Sequence, residues 1–334
     1  MIDTIYVESE ALKHPRAQRI IQRFDKARVI EISHYGEVFN VGAQNFRVQK
    51  ENPALILALK QNKYVLPAPD GFGIGGQRNY YFSHLLNCIY DCRYCFLQGM
   101  YRSAHYVFFV NLEAFANELS QIAVEHADET PYFFSGYDSD SLALDGITDF
   151  VPFMLDHMKQ IPNGVLELRT KSIAIGNLMS QKARSNVVVA FSLSPEKYAS
   201  ILDEKAPSIP RRLEAIATLA RAGWQIGLRF DPLIYAEDWR PRYQELFEQV
   251  SALNIETSIH SISTGPLRFP KKMYKKVSQL YPESLLFASP MENRGERVIA
   301  YPENIETEMQ AFTESELTSR FGQGLIFHCQ GEQS

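Results

Sequence analysis

Long hydrophobic runs are missing from these 334 residues. No stretch approaches the roughly 20 apolar residues that a helix needs to cross a bilayer. The N-terminus, Met-Ile-Asp-Thr-Ile-Tyr-Val-Glu, also lacks the basic-then-apolar order of a secretory signal. Cysteine is scarce, four in all, and three of them crowd together instead of spreading in pairs, so a disulfide framework is not expected. Nor is there a strong excess of one charge: 34 Lys and Arg stand against 39 Asp and Glu, a net of -5. That whole deficit sits in residues 301–334, where Glu303, Glu306, Glu308, Glu314, Glu316 and Glu332 face only Arg320. Residues 1–300 are therefore neutral overall, and global charge argues neither for nor against a nucleic-acid partner. These absences lead us to expect a cytoplasmic protein without a membrane anchor, ending in an acidic, solvated helical face.

What is present is a large potential core, since 45% of the chain is hydrophobic. The first seventy or so residues read as a small α/β unit, with strands at Ile5–Glu8 and Arg28–Ser33 around a helix over His14–Ala27. Arg16, Arg19, Arg23 and Lys26 fall on one face of that helix, expected to be solvated. Gly71-Phe-Gly73-Ile-Gly-Gly76 matches a dinucleotide fingerprint letter by letter. It follows Pro67 and Pro69 and precedes a strand, the wrong context for such a site, so we read it as a loop.

From Tyr80 onward, strand-like runs alternate with amphipathic helical stretches. The strands are expected at Tyr80–Leu85, Tyr132–Ser135, Val165–Arg169, Val187–Leu193, Gln225–Phe230 and Ser258–Ile262. Helices are expected at Leu112–His126, Ile147–Lys159, Ser172–Ala183, Pro210–Ala222 and Trp239–Leu253. Such alternation implies parallel strands joined by right-handed crossovers. Six units make an α/β partial barrel, (β/α)6, with its site at the C-terminal strand ends. We expect an N-terminal α/β extension over residues 1–75, the partial barrel over 76–265 and a C-terminal region over 266–334 packing on it.

The first strand leads into the most informative stretch, Asn87-Cys-Ile-Tyr-Asp-Cys-Arg-Tyr-Cys-Phe-Leu-Gln98. Cys88, Cys92 and Cys95 have C-x3-C-x2-C spacing, too dense for packing and suited to a ligand loop for one metal centre. Three protein thiolates would leave one iron of a four-iron cluster open to a substrate or cosubstrate. A Cys3His zinc site that recruits His84 is the alternative, and a thiol redox pair at Cys92 and Cys95 is another. The other strand ends also carry polar groups. Tyr137, Asp138, Ser139 and Asp140 follow the second strand, as a cofactor rim or a capped turn, and Lys171 ends the third as a cation facing a carboxylate or solvent. Ser192 ends the fourth and Arg229 and Asp231 the fifth, the last two expected as a partly buried pair. Lys271, Lys272, Lys275 and Lys276 follow the sixth, as a phosphate-docking or a merely solvated face. Cys329, near the end, is expected to be a buried small hydrophobe without a partner.

On these residues the chain resembles the radical S-adenosylmethionine (SAM) enzymes, and within them the spore photoproduct lyases, DNA repair enzymes. Cys88–Gln98 carries the likeness, as do Ser208-Ile-Pro-Arg-Arg-Leu-Glu-Ala-Ile, Ala220-Arg-Ala-Gly-Trp224 and the E-D-W-x-x-x-Y-x-x-L-F-E pattern from Glu237. The likeness extends in order from about Ile5 to about Pro302.

It implies that Cys88, Cys92 and Cys95 hold a 4Fe-4S cluster whose fourth iron is chelated by SAM, with Ser139, Lys171 and Ser192 at the SAM site. It implies reductive cleavage of SAM to methionine and a 5′-deoxyadenosyl radical that abstracts hydrogen from a thymine-dimer-type lesion. UV-damaged DNA and an external one-electron donor such as a flavodoxin or ferredoxin would be the partners. In this family a cysteine donates hydrogen to the product radical and two tyrosines near the cluster relay it. Here Tyr137 replaces that cysteine, Tyr94 is kept, and Phe96 replaces the second tyrosine. Tyr94 and Tyr137 are thus the candidate catalytic residues. A radical SAM enzyme with a non-DNA substrate, and a non-catalytic zinc or iron-sulfur protein, are the alternatives.

Overall fold

The computed structural model describes residues 2–69 and 71–329. Residues 1, 70 and 330–334, and with them Glu332 of the acidic tail, lie outside the described residues. The six expected strands form in order as Arg78–Phe82, Pro131–Ser135, Val165–Thr170, Val187–Ser192, Gln225–Leu233 and Ile259–Pro266, each parallel to the next. Among the described residues this sheet is eight-stranded, because Val65–Pro67 adds antiparallel at one edge and Ile326–His328 adds parallel at the other. The curled sheet is the expected partial barrel. Its outer face takes alternate apolar residues such as Phe133, Leu166, Leu168 and Val189, all fully buried, each contributing roughly 1.5–3 kcal/mol by leaving water.

A second, five-stranded sheet runs in the order Arg28–Ile32, Thr4–Glu8, Leu55–Ala58, Tyr106–Phe109 and Leu85–Leu86. Two of its strands thus come from beyond residue 75. Leu85, expected as the end of the first barrel strand, leaves the barrel here and, with Leu86, pairs antiparallel with Phe108 and Val107. One continuous core joins both sheets.

Some elements differ from their expected forms, with local causes. The stretch expected as one helix over Ile147–Lys159 breaks at Asp149, whose φ of 48° is left-handed, leaving short helices at Asp145–Thr148 and Phe150–His157. Only Gly176–Met179 is helical within Ser172–Ala183, because Thr170 Oγ1 accepts from Ser172 N at 2.8 Å and Ser172 Oγ from Ala174 N at 3.0 Å, local bonds that compete with a helical start. The N-terminal helix is shorter, Pro15–Arg23, and its basic stripe is not a free solvated face. Arg16 pairs with Glu113 at 2.9 Å and lies over Phe153, Arg19 pairs with Asp149 at 2.9 Å, and Arg23 donates to the carbonyl of Gly146. The stripe fastens this helix to the barrel's helices. The C-terminal acidic segment does form a helix, Glu303–Phe321, but Glu306 is buried and paired with Arg268 and Arg294, each at 3.3 Å.

Candidate functional site

The C-terminal ends of the barrel strands carry interlocked polar groups. At the second strand the chain turns sharply at Gly136, whose φ of 83° is left-handed and whose added Cβ would stand 2.6 Å from Ser141 Oγ. Only glycine fits there without strain. The turn lets Asp140 reach the third strand. Its carboxylate accepts bonds from Leu142 N and Ala143 N at 2.9 Å, and from Thr170 Oγ1 and Lys171 N at 2.7 Å. Burial pushes this carboxyl upward, and the four donors oppose that shift.

Inside the barrel, residues alternate at i and i+2 and face the lumen. Arg229 and Asp231, expected to pair with each other, do not: two residues apart on one strand, they reach different neighbours. Arg229 pairs with Glu167 at 2.7 Å and donates to Ser261 O at 3.1 Å, all buried. Gly227 makes room for this guanidinium, since a Cβ there would meet Arg229 Nη2 at 2.6 Å. One layer higher, Asp231 pairs with Arg169 at 2.7 Å and accepts from Ser263 Oγ at 3.0 Å. Cys329 completes this layer. Its thiol approaches Asp231 Oδ2 at 3.4 Å, with burial pushing it up to about 12, so it has a polar partner and is not an inert hydrophobe. Sequence reasoning missed it because Ile326–His328 brings it in as an edge strand from far along the chain.

The cysteine loop sits on this rim. Cys92 is buried, Cys88 and Cys95 less so, and with Tyr90, Phe46, Lys50 and Leu97 they line one small cavity. Burial pushes all three thiols upward, Cys88 to about 12. The ammonium of Lys50 donates to Cys88 O at 2.9 Å and Tyr90 O at 3.1 Å. Among the described residues, no three His, Cys, Asp or Glu side chains converge on a point that one metal ion would occupy. His84, the fourth ligand a zinc site would need, is not in this cavity. Its ring stacks on Phe150 at 3.6 Å, and burial lowers its pKa to about 3.

Tyr94 and Lys171 meet beside the cysteines. Lys171 Nζ lies 5.2 Å from the Tyr94 ring centroid. Burial opposes the Lys171 charge, but Asp203 and Cys92 outweigh it and raise its pKa overall. Tyr94 donates its hydroxyl to Asp203, and burial pushes this phenol well up. Asp203 also contacts Arg212 Nη2 at 2.8 Å, off the line of a hydrogen bond, so that contact is ionic. Arg212 donates in turn to Ser192 O at 3.1 Å, which brings Ser192, Asp203, Tyr94 and Lys171 into one cluster. Asp203 and Arg212 carry no signal of their own in the sequence, because each lies among other charges, Glu204 and Lys205 beside the first and Arg211 and Glu214 beside the second. Ser139 Oγ and Ser194 Oγ are buried nearby along the rim without a hydrogen-bond partner. Tyr137 stands with aromatics: Tyr81 at 4.4 Å, Phe96 at 5.6 Å and Phe72, from the Gly71–Gly76 loop, at 6.5 Å between ring centroids. That loop joins an antiparallel edge strand to the first barrel strand and opens no helix.

Such an arrangement offers soft thiols at the cavity, with the Lys171 ammonium beside them and the unpartnered Ser139 and Ser194 hydroxyls on the same strand-end rim. Comparison with known proteins agrees with this reading of the fold. The family described as spore photoproduct lyase matches residues 1–327. The spore photoproduct lyase of Bacillus subtilis (strain 168) is 24% identical over 290 residues, 84% of this chain and 83% of that protein. That of Geobacillus sp. (strain Y412MC61) is 22% identical over 290 residues, with the same two shares. Among solved structures, a spore photoproduct lyase mutant with bound AdoMet and dinucleoside spore photoproduct superposes with a TM-score of 0.86 at 18% identity, covering 99% of both chains. Another, complexed with dinucleoside spore photoproduct, gives 0.84 at 18% identity over the same shares.

Proposed function

This chain belongs to the spore photoproduct lyase family, and on that premise we propose that it is a radical SAM enzyme acting on a thymine-dimer-type DNA lesion. The observation that carries this reading is the single cavity lined by Cys88, Cys92 and Cys95 on the barrel rim, beside Lys171 and Tyr94. The donor set fits a four-iron cluster: three soft thiols and apolar walls from Phe46 and Leu97. A cube's three thiolates bind three separate irons, so they need not converge on one point as zinc ligands must. When bound together, cluster and SAM supply the reductive cleavage that yields methionine and a 5′-deoxyadenosyl radical.

The chain's own residues then hold and orient. In our reading Cys88, Cys92 and Cys95 ligate three irons. Lys171 meets the SAM carboxylate, its ammonium kept charged by Asp203. Ser192 frames the same site, and Ser139 offers it a buried hydroxyl without a partner, a group that costs free energy until a ligand satisfies it. Tyr94 is a neutral phenol beside Cys92, and Asp203 stands where a proton leaving that phenol would go. Tyr137, in the aromatic cluster with Tyr81 and Phe96, is the proposed hydrogen-atom donor to the product radical. In that step a phenol O–H breaks, a substrate C–H forms, and the unpaired electron passes from the product carbon to the Tyr137 oxygen. The aromatic faces around Tyr137 suit stacked bases.

Tyr137 and Phe96, where the family carries a cysteine and a tyrosine, favour a second reading: a radical SAM enzyme with an altered, non-DNA substrate. DNA affinity that falls steeply with salt would support the first reading, and a flat response the second. The primary test is anaerobic purification with iron and sulfide analysis, then dithionite plus SAM. About four irons per chain, lost in Cys92→Ala, together with 5′-deoxyadenosine are the expected results. Bound zinc and no nucleoside product would sink the proposal.

A further inference from the structure

The outer side of the cysteine loop is braced by a basic helix that the chemistry above does not use. Lys271–Leu280 packs on Leu97–Met100, the turn that follows Cys95, and on the strands Arg268–Pro270 and Val298–Ala300. Contact is tight at Gly99, where an added Cβ would lie 3.2 Å from both Met273 O and Val277 Cγ2. Lys276 Nζ donates to Gly99 O at 3.1 Å. Just past the helix, Tyr281 OH bonds Asp91 Oδ1 and Gln98 Oε1, each at 3.0 Å. The helix is therefore keyed to both sides of the segment that carries Cys92 and Cys95.

Its outward face carries Lys271, Lys272, Lys275 and Lys276, all exposed. Among the described residues none of these ammonium groups pairs with a carboxylate, whereas nearby Arg47 pairs with Glu283 and Arg93 with Glu204. Like charges one turn apart destabilise a helix by a few tenths of a kcal/mol per pair, so folding alone does not account for this face. Met100, 36% exposed, adds apolar surface where the two helices meet.

We propose that this face docks an acidic one-electron carrier protein of the flavodoxin or ferredoxin type. The inference rests on the radical SAM reading. The carrier is oxidised by one electron, and the centre held by Cys88, Cys92 and Cys95 is reduced by one. Charge complementarity selects the partner, since unpaired lysines steer an anionic surface into place. Position supports it too. The route inward from the lysine face to Cys95 crosses one short helical turn rather than the barrel. DNA is also polyanionic, but this helix packs outside the strand-end rim that carries Lys171, Ser192 and Tyr137, so the carrier is the better match.

The test compares the parent, reconstituted with iron and sulfide, with a Lys271→Glu, Lys272→Glu, Lys275→Glu triple variant. Lys276 stays because its ammonium holds Gly99. Binding of oxidised flavodoxin is titrated calorimetrically at low and at physiological salt. We expect affinity to fall roughly tenfold or more with a flattened salt dependence, and a matching Lys→Gln triple variant to lie between. Flavodoxin-driven 5′-deoxyadenosine formation should fall in step, while dithionite-driven formation stays at the parent level. Unchanged flavodoxin affinity overturns the proposal. So does a loss of duplex-DNA affinity in place of flavodoxin affinity, which would assign the face to nucleic acid. If the parent itself makes no nucleoside with dithionite, the radical SAM reading fails, and the docking claim fails with it.

Discussion

Tyr94 donates its phenolic hydrogen to Asp203, which is also ion-paired with the fully buried Arg212. The bond ties Tyr94 to the segment after the helix Glu196–Leu202, where Asp203 also pairs antiparallel with Cys92, and the two partners differ in what their removal leaves behind. Tyr94→Phe removes one hydrogen bond and keeps the ion pair, at a cost of about 1–2 kcal/mol. Asp203→Ala strands Arg212 in the interior, at a cost of about 3–5 kcal/mol. Urea midpoints should fall in that order. Equal losses would mean that Ser192 O and Pro207 O satisfy the guanidinium by themselves.

The pair Glu167–Arg229 obeys the same rule deeper in the barrel. Arg229→Met leaves a buried carboxylate unpaired and should cost about 3–5 kcal/mol. Adding Glu167→Gln should return part of that loss, because a neutral amide is cheaper to bury than a charge. Chemical denaturation of the two single variants and the double variant measures the coupling. Strict additivity would contradict it.

Gly136→Ala places a side chain at a left-handed φ and against Ser141 Oγ and Arg169 O. The backbone strain alone is worth about 1–3 kcal/mol. The turn that aims Asp140 should shift, so SAM affinity should fall along with stability. A variant with parent-like affinity would show that the Asp140 bonds survive without this turn.

His84 sets a pH dependence. Its folded pKa, lowered to about 3 by burial, lies below the ordinary value of 6.5, so the unfolded chain binds the proton more readily. The stability from keeping this ring neutral is fully present above pH 6.5 and is lost as pH falls toward 3. The difference approaches the order of 5 kcal/mol at the acid end. His84→Phe keeps the stack on Phe150 and should flatten the acid limb of melting temperature against pH. An unaltered limb would place the titration elsewhere.

Tyr137→Phe removes the proposed hydrogen donor and keeps the ring against Tyr81 and Phe96. Cleavage of SAM should continue while repaired product falls, so more 5′-deoxyadenosine accumulates per product. An unchanged ratio would remove Tyr137 from the chemistry.

Much of this was legible in the residues. Five of the six barrel strands begin within a residue of where apolar runs place them, because a run such as Val187-Val-Val-Ala-Phe buries only as a central parallel strand. The crowding of Cys88, Cys92 and Cys95 is local and needs no fold to be seen. Partnerships across strands were not legible. Arg229 and Asp231 looked like a pair because they are neighbours in sequence, yet a strand turns them to the same face, two residues apart, where each meets the strand beside it. The basic stripe of the first helix looked solvated because its partners, Glu113 for Arg16 and Asp149 for Arg19, lie 97 and 130 residues on.

By itself, then, the sequence determined the repeating strand-helix order, the soft donor loop and the family to which the chain belongs. The first two follow from local period and spacing, which each segment carries within itself; the family follows from likeness to known proteins. Only the tertiary structure decided that Asp203 holds Tyr94, that His84 stacks in the core away from the cysteines, and that a lysine helix braces the donor loop from outside. Each of these depends on which distant segments pack together, and packing is settled by the summed burial and pairing of the whole chain rather than by any one stretch of it.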